Sequence, residues 1–194
     1  TGLGRRISRC LMPHTKSEPM KPKERNGSDD SPLEKVAGVL LAAGSSTRMG
    51  SAKQLLPLKG EPILAGVLRE ALCSELDTVV LILGHRAGEI EKAFGENLTH
   101  PKLRVVRNPR YRQGMSTSIT AGLSSVETSH DHVMLLLADM PLIHADVINL
   151  LIKKYLASGL PLGALSISGK RVHPVVFSRR FYPDLYALKG DIGG

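Results

Sequence analysis

The chain contains no tryptophan, and only three Phe and four Tyr supply aromatic rings. It therefore has no base-stacking platform of the kind single-strand nucleic-acid binders use, and Leu, Val, Ile and Ala must fill the core. Cysteine is almost as scarce. Cys10 and Cys73 stand far apart, which excludes a disulfide framework or a metal knuckle and fits the reduced thiols of a cytoplasmic protein. No apolar stretch reaches the roughly 18 residues of a membrane span. Arg5-Arg6 is not followed by the apolar region of a secretory signal. There is also no long run of basic residues, so the formal charge of +8 does not point to nucleic acid. Scattered basic charge serves a polyphosphate substrate equally well. Neither a nucleic-acid partner nor a membrane partner is expected.

What is present falls into two parts. Residues 1–32 are rich in Lys, Arg, Ser, Pro and Gly and poor in apolar groups. They cannot bury enough surface to offset ordering entropy and are expected to form a disordered basic leader. A functional tail and an artefact of gene prediction both stay open for it. Residues 33–194 are about the size of one domain. From Val36 to Ala43 the chain is continuously apolar, as in a strand buried on both faces. A Gly/Ser-rich loop follows, then a helix from near Pro62, a strand Thr78–Leu83, a helix Ala87–Phe94 and a strand Leu103–Val106. Ser116–Val126 reads as a helix capped by its serine. His132–Ala138 is the most apolar strand and Ala145–Leu156 the most regular helix. Leu162–Ser168 and His173–Phe177 flank Gly169-Lys170 and suit a hairpin. Strand alternating with helix implies a mostly parallel sheet covered on both faces, with ligands at the carboxyl ends of its strands.

Three loops at those ends carry chemistry. The first is Leu41-Ala-Ala-Gly-Ser-Ser-Thr-Arg-Met-Gly-Ser-Ala-Lys53. Gly44 and Gly50 let its backbone turn tightly and point amides at phosphate oxygens, with Arg48 and Lys53 as cationic partners. Neither the Walker pattern nor the dinucleotide fingerprint fits its glycine spacing. The second runs from Asn108 to Ser118 and opens a helix, where Ser116 to Ser118 would set hydroxyls and free amides at a positive dipole end. In the third, Asp139 ends a wholly apolar strand. A carboxylate there is costly to bury without a cation, and Asp with substrate phosphates is a common way to hold magnesium.

The first loop, LAAG-S-S-T-RMG-S-A-K, resembles the signature of the nucleotidyltransferases that mature the molybdenum cofactor, and is most similar to that of the molybdenum cofactor cytidylyltransferases. The segment Asn108-Pro-Arg-Tyr-Arg-Gln-Gly-Met-Ser-Thr-Ser118 resembles a second family motif, Asp139-Met-Pro141 a third, and His173-Pro-Val-Val-Phe177 with Gly190-Asp191 the family's tail. The resemblance implies a Rossmann-like three-layer α/β/α fold. It implies that Leu41, Ala42, Ala43, Gly44, Asn108, Gly114, Ser116, Ser118 and His173 contact substrate. It also gives Arg48, Lys53 and Asp139 catalytic roles, and assigns Asp139 and Asp191 to Mg2+. Ala43 stands where the guanylyltransferase branch carries glycine, and its methyl favours a pyrimidine base. Val172 departs from the family's usual glycine, and the chain stops at Gly194 where the family continues with an Arg, as if truncated. His85 is read as structural.

The expected reaction is transfer of CMP from CTP to a molybdopterin cofactor, with release of pyrophosphate. The product would pass to an apo molybdenum hydroxylase of the xanthine dehydrogenase class. A GTP-using relative, a sugar- or polyol-phosphate cytidylyltransferase, a nicotinamide-dependent oxidoreductase and a non-catalytic cofactor-binding chaperone stay open as alternatives. The expectation rests on the first loop and Asp139 sharing one nucleotide across two strands' worth of sheet.

Overall fold

A computed structural model describes residues 34–44, 53–58 and 60–191; the leader and the segment containing Arg48 lie outside them. The first strand, β1 (Val36–Ala42), is buried along its whole length. Two short strands, β2 (Pro57–Leu58) and β3 (Glu61–Pro62), pair antiparallel ahead of helix α1 (Ile63–Cys73). Then come β4 (Thr78–Leu83), α2 (Ala87–Phe94), β5 (Leu103–Arg107), α3 (Met115–Ser124), β6 (His132–Leu137) and α4 (Ala145–Ser158). The chain closes with β7 (Leu162–Ile167), β8 (Lys170–Ser178) and α5 (Tyr182–Ala187).

Six strands form one sheet in the order β5-β4-β1-β6-β8-β7. The pairs β1–β4, β1–β6 and β4–β5 are parallel, whereas β8 runs antiparallel to both β6 and β7. The expected mostly parallel α/β architecture is therefore present, with the hairpin added at one edge. That hairpin is longer than its sequence pattern suggested, because β8 begins at Lys170. Ser168 and Gly169, with φ of 51° and 76°, form its turn, the left-handed pair that matches strand twist.

Alternation along β1 divides the core. Val36, Leu40 and Ala42 face a layer built with α1, α2 and α4. Ala37, Val39, Leu41 and Ala43 face the layer of α3 and α5. Apolar burial on both faces explains why β1, β4 and β6 read as unbroken hydrophobic runs. Among the described residues no helix is long and apolar enough to cross a membrane.

The strand order also fixes where a ligand can enter. From β1 the chain steps outward to β4 and β5, then returns to β6 on the other side of β1. The strand order thus reverses between β1 and β6, and the crevice at their carboxyl ends is the topological switch point.

Candidate functional site

At that switch point lies a cleft of 350 Å³ lined by Leu41, Ala43, Gly44, Gln54, Tyr111, Arg112, Gly114, Met115, Ser118, Leu137, Ala138, Asp139 and Asp191. Its volume falls in the range of small-molecule sites. A cavity of 310 Å³ at the opposite end of the sheet, beside His132, Tyr155 and Ser178, is reached by none of the loop motifs. Leu41 pairs with Leu137 across β1 and β6, and the Ala138 amide donates to the Leu41 carbonyl at 3.1 Å. Asp139 therefore follows the strand next to the first loop. The separation of two strands' worth of sheet expected from sequence is corrected to immediate neighbours, because the return crossover inserts β6 beside β1 rather than beyond β5.

The turn leaving β1 is held by its carbonyls. The Ala43 carbonyl accepts from the His85 amide at 3.1 Å. Gly84 makes this close approach possible, since a Cβ there would lie 2.6 Å from Tyr111 Cβ and 2.8 Å from Ala43 Cβ. His85 is thus structural in its backbone, as expected, and its ring also lies against Tyr111 with centroids 5.9 Å apart. Lys53 opens a short 3-10 turn, Lys53–Leu55; Arg48 lies outside the described residues.

The serine cap expected for the second loop is corrected. Helix α3 starts at Met115 with Gly114 as its N-cap, so Ser116 is not the cap but a buried first-turn residue away from the cleft. Asn108 is buried and does not line the cleft either. Its Nδ2 donates to Thr117 Oγ1 and Ser118 Oγ, both at 2.9 Å, and its Oδ1 accepts from the Arg110 amide. It braces the loop from beneath, the accounting a buried amide demands. Nor are the helix amides free for phosphate. The Ser116 amide donates to the Gly190 carbonyl at 3.0 Å and the Met115 amide to Asp191 Oδ1 at 3.2 Å.

The chain's own tail therefore occupies the positive end of α3. It is delivered by α5, whose Tyr182 and Leu185 are buried against the α3 face of the sheet. Tyr182 Oη donates to the His130 carbonyl at 3.2 Å, and burial pushes its phenol up to about 12, so it remains a donor at neutral pH. This docking places a second carboxylate in the cleft. Gly114 adopts φ 106° and ψ 172° in direct contact with Gly190, a conformation essentially confined to glycine.

Asp139 and Asp191 thus line one cleft, an all-oxygen donor pair of the type a hard divalent cation prefers. Among the described residues no group of three or more His, Cys, Asp or Glu could cage a metal alone. The pair fits a cation that takes its remaining ligands from water and substrate phosphate. Ala42 stays outside the cleft lining, with its side chain in the core and its carbonyl accepting from Gln54 Nε2. His173 stays outside the cleft lining, with Nδ1 at 3.4 Å from the Leu135 carbonyl. Sequence reasoning did not single out Gln54, Tyr111, Arg112 or Met115. The guanidinium of Arg112 lies 5.7 Å from the Tyr111 ring centroid, and Arg112 brings positive charge to the cleft lining.

Known proteins resemble this chain in sequence and fold. The chain is 35% identical over 164 residues to the purine catabolism protein PucB of Bacillus subtilis, covering 81% of this chain and 78% of PucB. It is 32% identical over 111 residues to the molybdenum cofactor cytidylyltransferase of Escherichia coli, covering 56% of this chain and 54% of that protein. The crystal structure of Rv0371c from Mycobacterium tuberculosis superposes with a TM-score of 0.72 at 26% identity, covering 84% of this chain and 80% of the other. A manganese complex of Rv0371c gives 0.67 at 27% identity, covering 81% and 78%. The profile of the MobA-like NTP transferase domain matches residues 38–194, and the chain belongs to that nucleotidyltransferase family.

Proposed function

We propose that the chain transfers CMP from CTP to a molybdopterin-type molybdenum cofactor and releases pyrophosphate. The observation that carries this reading is that the turn leaving β1 and the aspartate leaving β6 line one cleft from adjacent strands. The similarity to a protein named molybdenum cofactor cytidylyltransferase supports the choice of acceptor and nucleotide. Ala43 lines the cleft, and its methyl in place of a glycine narrows the space for a base and favours the smaller pyrimidine.

An acceptor phosphate oxygen attacks the α-phosphorus of CTP in line. The new P–O bond forms as the bond to the β-phosphate oxygen breaks, and that oxygen leaves with the electron pair as pyrophosphate. No protein nucleophile is required, so the chain's work is positioning and charge stabilisation. Asp139 and Asp191 would hold Mg2+, which when bound supplies charge neutralisation across the phosphates. Arg48 and Lys53 stabilise the departing pyrophosphate, and Ser118 contacts the nucleotide.

Pyrophosphate release measured with each NTP, Mg2+ and molybdenum cofactor tests this. Release with CTP alone, lost in Asp139→Ala, is the expected outcome. Nucleotide binding without release would replace the transferase with a non-catalytic carrier, and NADH consumption would replace it with an oxidoreductase.

A further inference from the structure

A turn that offers its N–H groups to an anion must dispose of its carbonyl oxygens elsewhere. In the turn leaving β1, four consecutive carbonyls are spoken for. Leu41 accepts from the Ala138 amide and Ala43 from the His85 amide, both at 3.1 Å. The other two, Ala42 and Gly44, accept from one group: Nε2 of Gln54 lies 3.0 Å from each. Gln54 is itself buried and lines the cleft. Two carbonyl acceptors assign the nitrogen end of its amide to this position. The same side chain therefore ties the last residue of β1 to the turn, across the intervening stretch of sequence.

We propose that Gln54 is a positioning residue for nucleotide binding: by taking the Ala42 and Gly44 carbonyls as its acceptors, it fixes the start of the turn that receives the triphosphate. The proposal deepens the transferase reading and rests on it. Gln54 touches no substrate in this role. It acts through the backbone it bonds.

Two substitutions separate this role from simple packing. Gln54→Met keeps the side chain's length and removes both donated bonds. Gln54→Glu removes both donors when ionised, turning a carboxylate on two carbonyls, and restores one donor when protonated. Burial raises the carboxyl's pKa, bringing that change within reach of mild acid. The experiment is calorimetric titration of the full chain with Mg·CTP at pH 8 and pH 5.5, with a thermal melt of each variant. Gln54→Met is expected to weaken binding about tenfold or more, from the loss of one buried and one half-buried hydrogen bond. Gln54→Glu is expected to bind poorly at pH 8 and to recover relative to wild type at pH 5.5. Should Gln54→Met not fold, the two pH values of Gln54→Glu carry the test within one protein. Wild-type-like affinity in both variants at both pH values overturns the role, as does a lowered melting point with unchanged affinity. A wild-type chain that binds no NTP overturns the transferase reading itself, and the role of Gln54 with it.

Discussion

Replacing Gly114 by alanine strikes the contact that brings the chain's tail to the cleft. A Cβ at this position would lie 2.7 Å from the Gly190 Cα and closer still to its carbonyl group. The backbone conformation, φ 106° and ψ 172°, adds strain of about 1–3 kcal/mol for any L side chain. The steric conflict is with backbone, so no side-chain rotation relieves it. The cheapest escape is release of Gly190 and Asp191. That release forfeits the bonds to the Ser116 and Met115 amides, at about 1 kcal/mol each. The buried anchors Tyr182 and Leu185 lie upstream of the break, so the loss stays local. Roughly 2 kcal/mol corresponds to about a thirtyfold drop in protection. Hydrogen exchange in Gly114→Ala should therefore accelerate by about that factor at the Met115 and Ser116 amides, while amides of β1 and β6 keep their protection. Turnover should fall as Asp191 leaves the cleft. Unchanged protection at Ser116 together with wild-type turnover would refute the argument that the tail is docked through Gly114.

Other expectations follow from single side chains. Asn108→Ala removes the amide shared by the buried Ser118 hydroxyl, the half-buried Thr117 hydroxyl and the Arg110 amide, and should lower stability by about 1–3 kcal/mol in urea denaturation; a wild-type midpoint would contradict its bracing role. Burial holds the His130 imidazole below its ordinary range, so the folded chain keeps it neutral while the unfolded chain takes a proton near pH 6.5. Stability from this group is full above that value and is lost as pH falls towards the folded pKa. His130→Gln should therefore flatten the decline in urea midpoint between pH 7.5 and 5.5, and an unaltered slope would count against it. Ala43→Gly should raise the use of GTP relative to CTP in pyrophosphate-release assays, whereas an unmoved ratio would sever base choice from this methyl.

The fold was legible where a single physical rule governed the pattern. β1, β4 and β6 are buried on both faces, so their sequences are apolar without alternation; Gly44 and Gly84 mark where β1 and β4 end, and Asp139 marks the end of β6. The site was legible only in part. Asp139, Gly44, Gly114, Ser118 and Asp191 converge on one cleft. The family resemblance assigns Asn108 and Ser116 to substrate, whereas in this structure both are buried in the frame that holds α3. Local pattern cannot reveal that the distant Gly190 carbonyl and Asp191 carboxylate would claim the first amides of the helix. Gln54 escaped notice for the same reason. Its partners, Ala42 and Gly44, are identified by the geometry of the turn rather than by periodicity. The adjacency of β1 and β6 depended on a crossover that strand patterns do not order.

The central claim is that one Mg·nucleotide complex spans the turn after β1 and the aspartate after β6. Isothermal titration of the chain with CTP, with and without Mg2+, in wild type and Asp139→Asn addresses it most directly. The account predicts heat of binding that requires the cation and disappears in the variant. Cation-independent binding that survives in Asp139→Asn, or no uptake of any NTP by the wild type, would contradict it.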